Sequence, residues 1–373
     1  MQGNGRISRI VVALPYDDLI LIGLPRNFRR SRLRARLGER IGGQTKRVAL
    51  ASVSGWHDGM KRREFCQQLA WGAGTFLGAK LLGATSLNPR WKLGLGLNGF
   101  ASGERKYDAR YPLWEVLHFA TEIGFEGIEL VDGWPSGAYP EVNESRRVKA
   151  LRNLYDRYGL SVFSLQVGAG GAFDPDPMKR RDWLRSFRQR ALLANALGAD
   201  CLGLWPGGGL RGQSLKEALK HLAETFSEAA ALGGELGLTV AFEIEPPFVF
   251  NSEVHLTEIL GQSNNGLKTI YDPSHFDLMN GSSGQPEAML KRIGVENIGY
   301  VHLTDTDGTL RDGGTSKHLA CGDGHLNIGR SLEVLCQGGF SGWIMIDGWE
   351  IPDPFDAARK GIQAIKRGQR DCV

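Results

Sequence analysis

The segment Tyr271-Asp272-Pro273-Ser274-His275 sets a carboxylate and an imidazole three residues apart at the end of a short apolar run. Three other runs end in the same way. Val240-Ala241-Phe242 leads to Glu243 and Glu245, Val301 leads into His302 and Asp305, and Trp343-Ile344-Met345-Ile346 leads to Asp347. Carboxylate oxygens and imidazole nitrogens are the donors that divalent cations take from proteins. A single acid at the end of a strand is more often a helix N-cap, and Asp272 or Asp305 alone would be read that way. Four successive strand-like runs that each deliver a ligand type are harder to produce by capping. In a parallel barrel their C-terminal ends converge on one mouth, which makes the set a candidate divalent-metal site.

The spacing gives each candidate a place. Glu243 and Glu245 differ by two, so on a strand both face one side, with Glu243 deeper and Glu245 nearer the mouth. Either acid suits a cation. Asp272 lies where the chain leaves its strand, with Pro273 stiffening the turn. His275 is placed to ligate as well, or to contact substrate from behind the ligands. His302 lies on its run, Asp305 just past it, and Asp347 closes the set.

The elements that must position these residues follow from the apolar pattern. Short apolar runs at 93–97, 127–131, 160–167, 200–204, 238–242, 267–271, 298–303 and 343–346 alternate with helix-period segments near 111–123, 144–158, 178–197, 214–236, 254–263, 286–293, 329–338 and 354–367. Eight strands alternating with eight helices predict a (β/α)8 TIM barrel over residues 89–373. The candidate ligands cluster late in the chain and at the ends of several runs, which favours the barrel over a doubly wound sheet.

The rest of the chain differs in composition. Residues 1–89 hold 15 Lys and Arg against 5 Asp and Glu, while the remainder holds 30 against 36, so the overall net charge of +4 hides an acidic barrel. That balance disfavours a nucleic-acid partner. Residues 1–59 carry an Arg-rich run and are read as a non-domain extension ahead of a true start at Met60. Residues 60–88 run Met60-Lys61-Arg62-Arg63-Glu64-Phe65 and then a Gly/Ala/Leu-rich stretch. That order resembles a twin-arginine export signal and predicts a periplasmic or exported protein, with the segment cleaved or kept as an anchor. A cytoplasmic location is the alternative. No uninterrupted apolar run of membrane-spanning length occurs. The five cysteines show no C-x-x-C. Cys321 and Cys336 are the pair considered for a bridge, and free buried thiols are the favoured reading.

Several segments together resemble the xylose isomerase-like barrel superfamily of sugar isomerases and epimerases, over about residues 93–367. They are Glu122-x-Gly-Phe-x-Gly-Ile-Glu129-Leu, Gly237-Leu-x-Val-x-x-Glu243, Asp272-x-x-His275, His302-Leu-x-Asp305, Gly322-Asp323-Gly324, and Gly339-Phe-x-Gly-Trp-Ile before Asp347. The resemblance implies one divalent ion (Mn²⁺ foremost, with Co²⁺, Mg²⁺ or Zn²⁺ as alternatives) held by Glu243, Asp272, His302 and Asp347. It implies Glu243 and Asp347 as the proton-moving acids, and a keto-sugar or keto-glycoside whose C–H next to a carbonyl is made acidic. An enediolate would then give isomerisation, epimerisation or elimination. The family's last ligand is usually Glu, so the shorter Asp347 predicts an asymmetric pair rather than two equivalent bases, with Glu350 as the substitute ligand to examine.

Candidate substrate contacts are His275, Glu245, Lys317, His318, Trp134 and Trp205. The first two sit among the ligands, Lys317 and His318 lie in the polar loop after His302, and the tryptophans follow the second and fourth strands. A homo-oligomer is compatible with the sequence. The competing readings are an endonuclease IV-like metal phosphodiesterase, which would need further His at strands two and three, and an inactive exported sugar-binding barrel.

Overall fold

Eight of the apolar runs form parallel strands that close on themselves. In the computed structural model of the protein the described residues are 91–372, apart from Ser136, Pro206, Pro247, Asn264 and Gly313, together with Ser8–Ala13 and Leu19–Leu24. Those last two segments, β1 and β2, pair antiparallel, Ser8 opposite Leu24. The proposed export signal lies outside the described residues.

The barrel strands are β3 (Lys92–Gly96), β4 (Gly127–Leu130), β5 (Ser161–Gly168), β6 (Cys201–Trp205), β7 (Thr239–Phe242), β8 (Lys268–Tyr271), β9 (Ile298–Leu303) and β12 (Trp343–Ile346). Neighbours follow chain order, and β12 closes the barrel on β3 with Trp343 opposite Lys92. Between β9 and β12 an antiparallel hairpin, β10 (Asp305–Leu310) and β11 (Ser316–Leu319), stands apart from the barrel sheet. Every barrel strand is followed by a helix, as the alternation predicts. Two helices were not foreseen: Asn98–Tyr107 directly after β3, and Pro273–Met279 directly after β8. Both are short on sequence signal. The first contains two glycines, and the second is a two-turn element started by its Asp-Pro cap.

The barrel interior explains several small residues. Phe163, Tyr300, Trp343 and Met345 fill it beside Cys201, Ala241 and Ile270. Such bulk needs glycine opposite. A Cβ on Gly203 would come 2.1 Å from the Tyr300 hydroxyl, and one on Gly94 would meet the Phe163 ring at 2.7 Å. The outer faces of the strands pack on the helices in one continuous core.

Helix starts carry legible chemistry. Ser214 and Glu217 form a reciprocal capping box, and Asp176 and Asp353 cap helices that begin with proline. The cysteine reading needs correction. Cys336, in the last turn of helix Ile328–Gln337, is bonded to Cys372 at the end of the final helix, and Cys201 and Cys321 are buried free thiols. Helices that follow parallel strands run back beside them. The two helix ends therefore lie together at the N-terminal end of the barrel, a meeting that cysteine spacing does not reveal. No helix among the described residues is long and apolar enough to cross a membrane.

Candidate metal centre and substrate cavity

The four strand-end ligands meet. Glu243, Asp272, His302 and Asp347 each offer one ligand atom, and these atoms lie within 4.8 Å of one another. His302 Nδ1 is 2.7 Å from Glu243 Oε1 and 3.4 Å from Asp347 Oδ2. All four side chains are buried. Glu243 Oε1, Asp272 Oδ2 and His302 Nδ1 have no partner in hydrogen-bonding geometry. Buried polar atoms are nearly always satisfied, so a cluster of orphans of these types marks the place of a missing partner. The electrostatics agree. Burial pulls the His302 imidazole down, yet Glu243 and Glu129 more than offset it and hold it well above its ordinary value. Burial pushes the Asp347 carboxyl up, but His318, His302 and the Trp349 N–H carry it well below the usual carboxylate range. The pocket is short of positive charge, and three carboxylates with one imidazole fit a divalent cation.

Asp272 shows how capping and ligation coexist. Its Oδ1 accepts from the backbone N–H of Ser274 at 2.7 Å and from the Ser274 hydroxyl at 2.6 Å, with the His275 N–H at 3.3 Å. That oxygen starts the helix and leaves Oδ2 for the cluster. Asp305 is different. Both of its oxygens are taken by backbone N–H groups: Oδ1 by Thr306 and Leu326, Oδ2 by Gly322 and Gly324, at 2.8–3.1 Å. The Gly322-Asp323-Gly324 motif wraps this carboxylate, and a Cβ on Gly324 would come within 2.3 Å of Asp305 Oδ1. Asp305 is thus part of the scaffold.

Two further ligand groups overlap the first: Glu243 with Glu245 and His275, and Asp272 with His275 and His318. The strand ends at Phe242, with the Glu243 N–H still donating to Leu204 O of β6 at 3.0 Å, so Glu243 and Glu245 lie just past it rather than on it. Both nevertheless line the same cavity. Burial raises the Glu245 carboxyl above its ordinary value, with His275 opposing. His275 Nδ1 lies 2.9 Å from the Ser316 hydroxyl, and its Nε2 faces Asp272 Oδ2 at 3.8 Å and Glu243 Oε1 at 4.0 Å. His318 Nδ1 lies 3.5 Å from Asp347 Oδ1, and its Nε2 is 3.9 Å from Asp272 Oδ2. Burial lowers the His318 imidazole, but Asp347, Asp272 and Glu245 carry it to about 9.

The cavity above the cluster has a volume of about 460 Å³. Glu243, Glu245, His275, His318 and Asp347 form its floor, and Trp205, Phe248, Arg311, Thr315, Trp349 and Glu350 line the rest with Asn98. Trp205 meets Trp349 edge to face at 6.1 Å. Two of the substrate-contact candidates lie elsewhere. Alternation on β11 buries Ser316 and His318 and turns Lys317 outward, where it pairs with Asp307. Trp134 is buried against Phe100 and lines a separate cleft with Tyr139 and Tyr155. Glu350 lines the cavity, but its carboxylate pairs with Lys106 and lies outside the ligand cluster.

Sequence reasoning missed Asn98, Arg311 and Trp349. Asn98 donates to Asp347 Oδ1 at 2.9 Å, beside the Trp349 N–H at 2.8 Å. Its signal was available in Leu-Asn-Gly at the first strand's end. Glu129, an acid inside the apolar run Gly-Ile-Glu-Leu, has no ligand or substrate role that its sequence pattern alone reveals.

A family model described as Xylose isomerase-like TIM barrel matches residues 117–368. The chain is 24% identical over 243 residues to an L-ribulose-5-phosphate 3-epimerase of Shigella boydii, covering 63% of this chain and 81% of that protein. Among solved structures, the IolI protein with a bound zinc atom superposes with a TM-score of 0.59 at 19% identity, covering 76% of this chain and 98% of that one. The 3-keto-D-glucoside 4-epimerase of E. coli superposes with a TM-score of 0.55 at 17% identity, covering 74% and 100%. With the strand-end cluster in place and the family match spanning well over half its length, this chain belongs to the xylose isomerase-like TIM barrel family.

Proposed function

We propose that the protein is a divalent-metal-dependent sugar isomerase or epimerase acting on an unphosphorylated keto-sugar or keto-glycoside. The observation that carries this is the orphaned cluster of Glu243, Asp272, His302 and Asp347 under an aromatic-walled cavity. These four residues would hold one ion, with Mn²⁺ first because three of the four donors are carboxylates. The chemistry such an ion supplies is Lewis acidity, which makes the C–H beside a bound carbonyl more acidic.

The protein's own groups divide the remaining work. Glu243 is the general base and takes the proton from that carbon. Asp347 suits this task less well, because its Oδ1 already accepts from Asn98 and Trp349 while Oδ2 faces His302. The pair is therefore asymmetric, with Asp347 as ligand and orienter; Glu243 alone can return the proton to the neighbouring carbon on the same face, which is isomerisation, whereas epimerisation would need Asp347 to supply a proton from the opposite face. Glu245 and His275 hold substrate hydroxyls above the cluster, and His318 holds them from the hairpin side. Trp205, Phe248 and Trp349 offer apolar faces to ring C–H groups and exclude water.

The charge at the mouth supports an unphosphorylated substrate. Arg311 stands there with the carboxylates of Glu245, Asp312 and Glu350, and its Nε lies 3.8 Å from Glu350. A phosphate dianion would meet more negative than positive charge. Export is proposed on the same footing. It is supported by the Arg62-Arg63-Glu64-Phe65 order and by the Cys336–Cys372 bond, a linkage that persists in oxidising compartments. The endonuclease-like reading is disfavoured because the ends of β4 and β5 carry no histidine.

The test is deuterium exchange. Mn²⁺-loaded protein is incubated in D₂O with a panel of keto-sugars, their phosphates and 3-keto-glycosides. Label should enter beside the carbonyl of an unphosphorylated member and vanish in Glu243→Gln. Ion-loaded protein that exchanges and cleaves nothing in the panel would instead be a binding barrel. Exchange confined to phosphates would overturn the substrate class.

A further inference from the structure

A line of polar side chains runs behind His302, away from the cavity. The Ser164 hydroxyl reaches the Tyr300 hydroxyl at 3.4 Å, and the Tyr300 hydroxyl donates to Glu129 Oε2 at 2.8 Å. Glu129 Oε1 lies 3.0 Å from His302 Nε2, in ion-pair contact but off hydrogen-bond alignment. The other ring nitrogen, Nδ1, faces the ligand cluster. Ser164, Tyr300 and His302 are fully buried, and Glu129 is 2% exposed.

The strand pleat puts Glu129 there. A Cβ on Gly127 would strike the Trp343 indole, so position 127 faces the barrel interior, and Glu129, two residues on, faces the same side. A carboxylate in that interior is costly unless something there uses its charge. Tyr300 satisfies one oxygen, and the other has only the imidazole beside it. Glu129 is absent from the cavity lining, so it does not touch a substrate.

We propose that Glu129 is a positioning residue for the metal centre, acting through His302. It keeps the ring proton on Nε2, aims Nδ1 at the ion, and strengthens that nitrogen as a donor. Tyr300 in turn fixes the carboxylate. The inference rests on the four-residue metal reading but not on any choice of substrate.

The test uses the full-length chain and Co²⁺ alone. Metal-free protein is titrated with Co²⁺, and the dissociation constant, the visible d–d spectrum and the metal-free melting temperature are read for the parent and for Glu129→Gln. Gln keeps the shape and loses the charge. Outer partners of metal-bound histidine are worth about ten- to hundredfold in affinity. Glu129→Gln should therefore weaken Co²⁺ binding by that factor and shift the d–d bands, while the metal-free protein melts no lower than the parent. Affinity within twofold of the parent with an unchanged spectrum would overturn the proposal. So would weaker binding matched by a lower metal-free melting temperature, which marks a structural role. If Glu129→Gln does not accumulate, Tyr300→Phe should weaken Co²⁺ binding a few-fold, and no change would overturn the idea. A parent chain that takes up no Co²⁺ would remove this inference and the metal site together. Binding without sugar exchange would leave this inference standing while the proposed activity fails.

Discussion

The two ends of the barrel treat polar groups in opposite ways. At the N-terminal end Asp200 accepts from Lys92 Nζ at 2.7 Å and from the Trp343 indole N–H at 2.8 Å, and Lys92 also sits over the Trp343 ring at 5.1 Å. The Cys336–Cys372 bond closes the same end. Charge there has its partner in place. At the C-terminal end Glu243, Asp272 and His302 keep buried atoms without one. The difference separates residues that hold the fold from residues the fold holds ready, and it gives the two ends opposite responses to mutation.

The largest expected effect is at the mouth. In Asp272→Asn/His302→Gln the Asn side chain can still cap the following helix, so folding is retained. Elemental analysis after chelation and reconstitution should find no stoichiometric ion. Stoichiometric uptake in this variant would break the comparison. At the other end, Cys336→Ser opens a loop with a sequence separation of 36. It should cost about 4 kcal/mol in denaturant unfolding and leave Co²⁺ affinity unchanged. A loss under 1 kcal/mol would show that the bond adds little to that end.

Asp347→Glu sharpens the line within the mouth. The longer acid should keep the ion yet lower turnover by about a hundredfold, because displacing a catalytic constellation by about 1 Å is that costly. Unchanged turnover would strip the short acid of meaning. The smallest effect belongs to Asp200→Asn. Burial raises the Asp200 carboxyl, and Lys92 and Trp343 more than offset it, so its value in the folded protein is depressed. A depressed acid adds stability above its unfolded pKa and loses it as pH falls through the folded one. The side chain is half exposed, so screening holds the gain to a few tenths of a kcal/mol. As pH falls below about 4, the parent's unfolding free energy should fall slightly more steeply than that of Asp200→Asn. Parallel curves would remove Asp200 from the stabilising set.

Much of this was legible because strands and their ends follow simple periodicities. All eight barrel strands and the eight amphipathic helices lie where the pattern puts them, while the short helices after β3 and β8 do not show in it, and the ligand acids announce themselves at strand ends. What stayed hidden depends on contacts between distant segments. The Cys336–Cys372 pairing needs two helix ends to meet. Lys317 and His318 are adjacent, and only the hairpin register decides which of them faces the cavity. Asp305 looks like a ligand in sequence, and four backbone N–H groups reveal it as scaffold. Glu129 looks like one apolar strand's odd residue until His302, from a strand across the barrel, is beside it.

Asp305 has a consequence for how this architecture could diversify. It stands where β10 begins, and it grips the chain at Gly322, Gly324 and Leu326 where the excursion returns to the barrel. Both roots of the hairpin are thus tied to one carboxylate, while Arg311, Thr315 and His318 ride between them. The tip of the hairpin, residues 311–315, carries none of the bonds that anchor its roots to Asp305. That tip can be lengthened, shortened or rewritten without disturbing the eight strands beneath, so a new specificity could arise there by exchange of a single piece of chain.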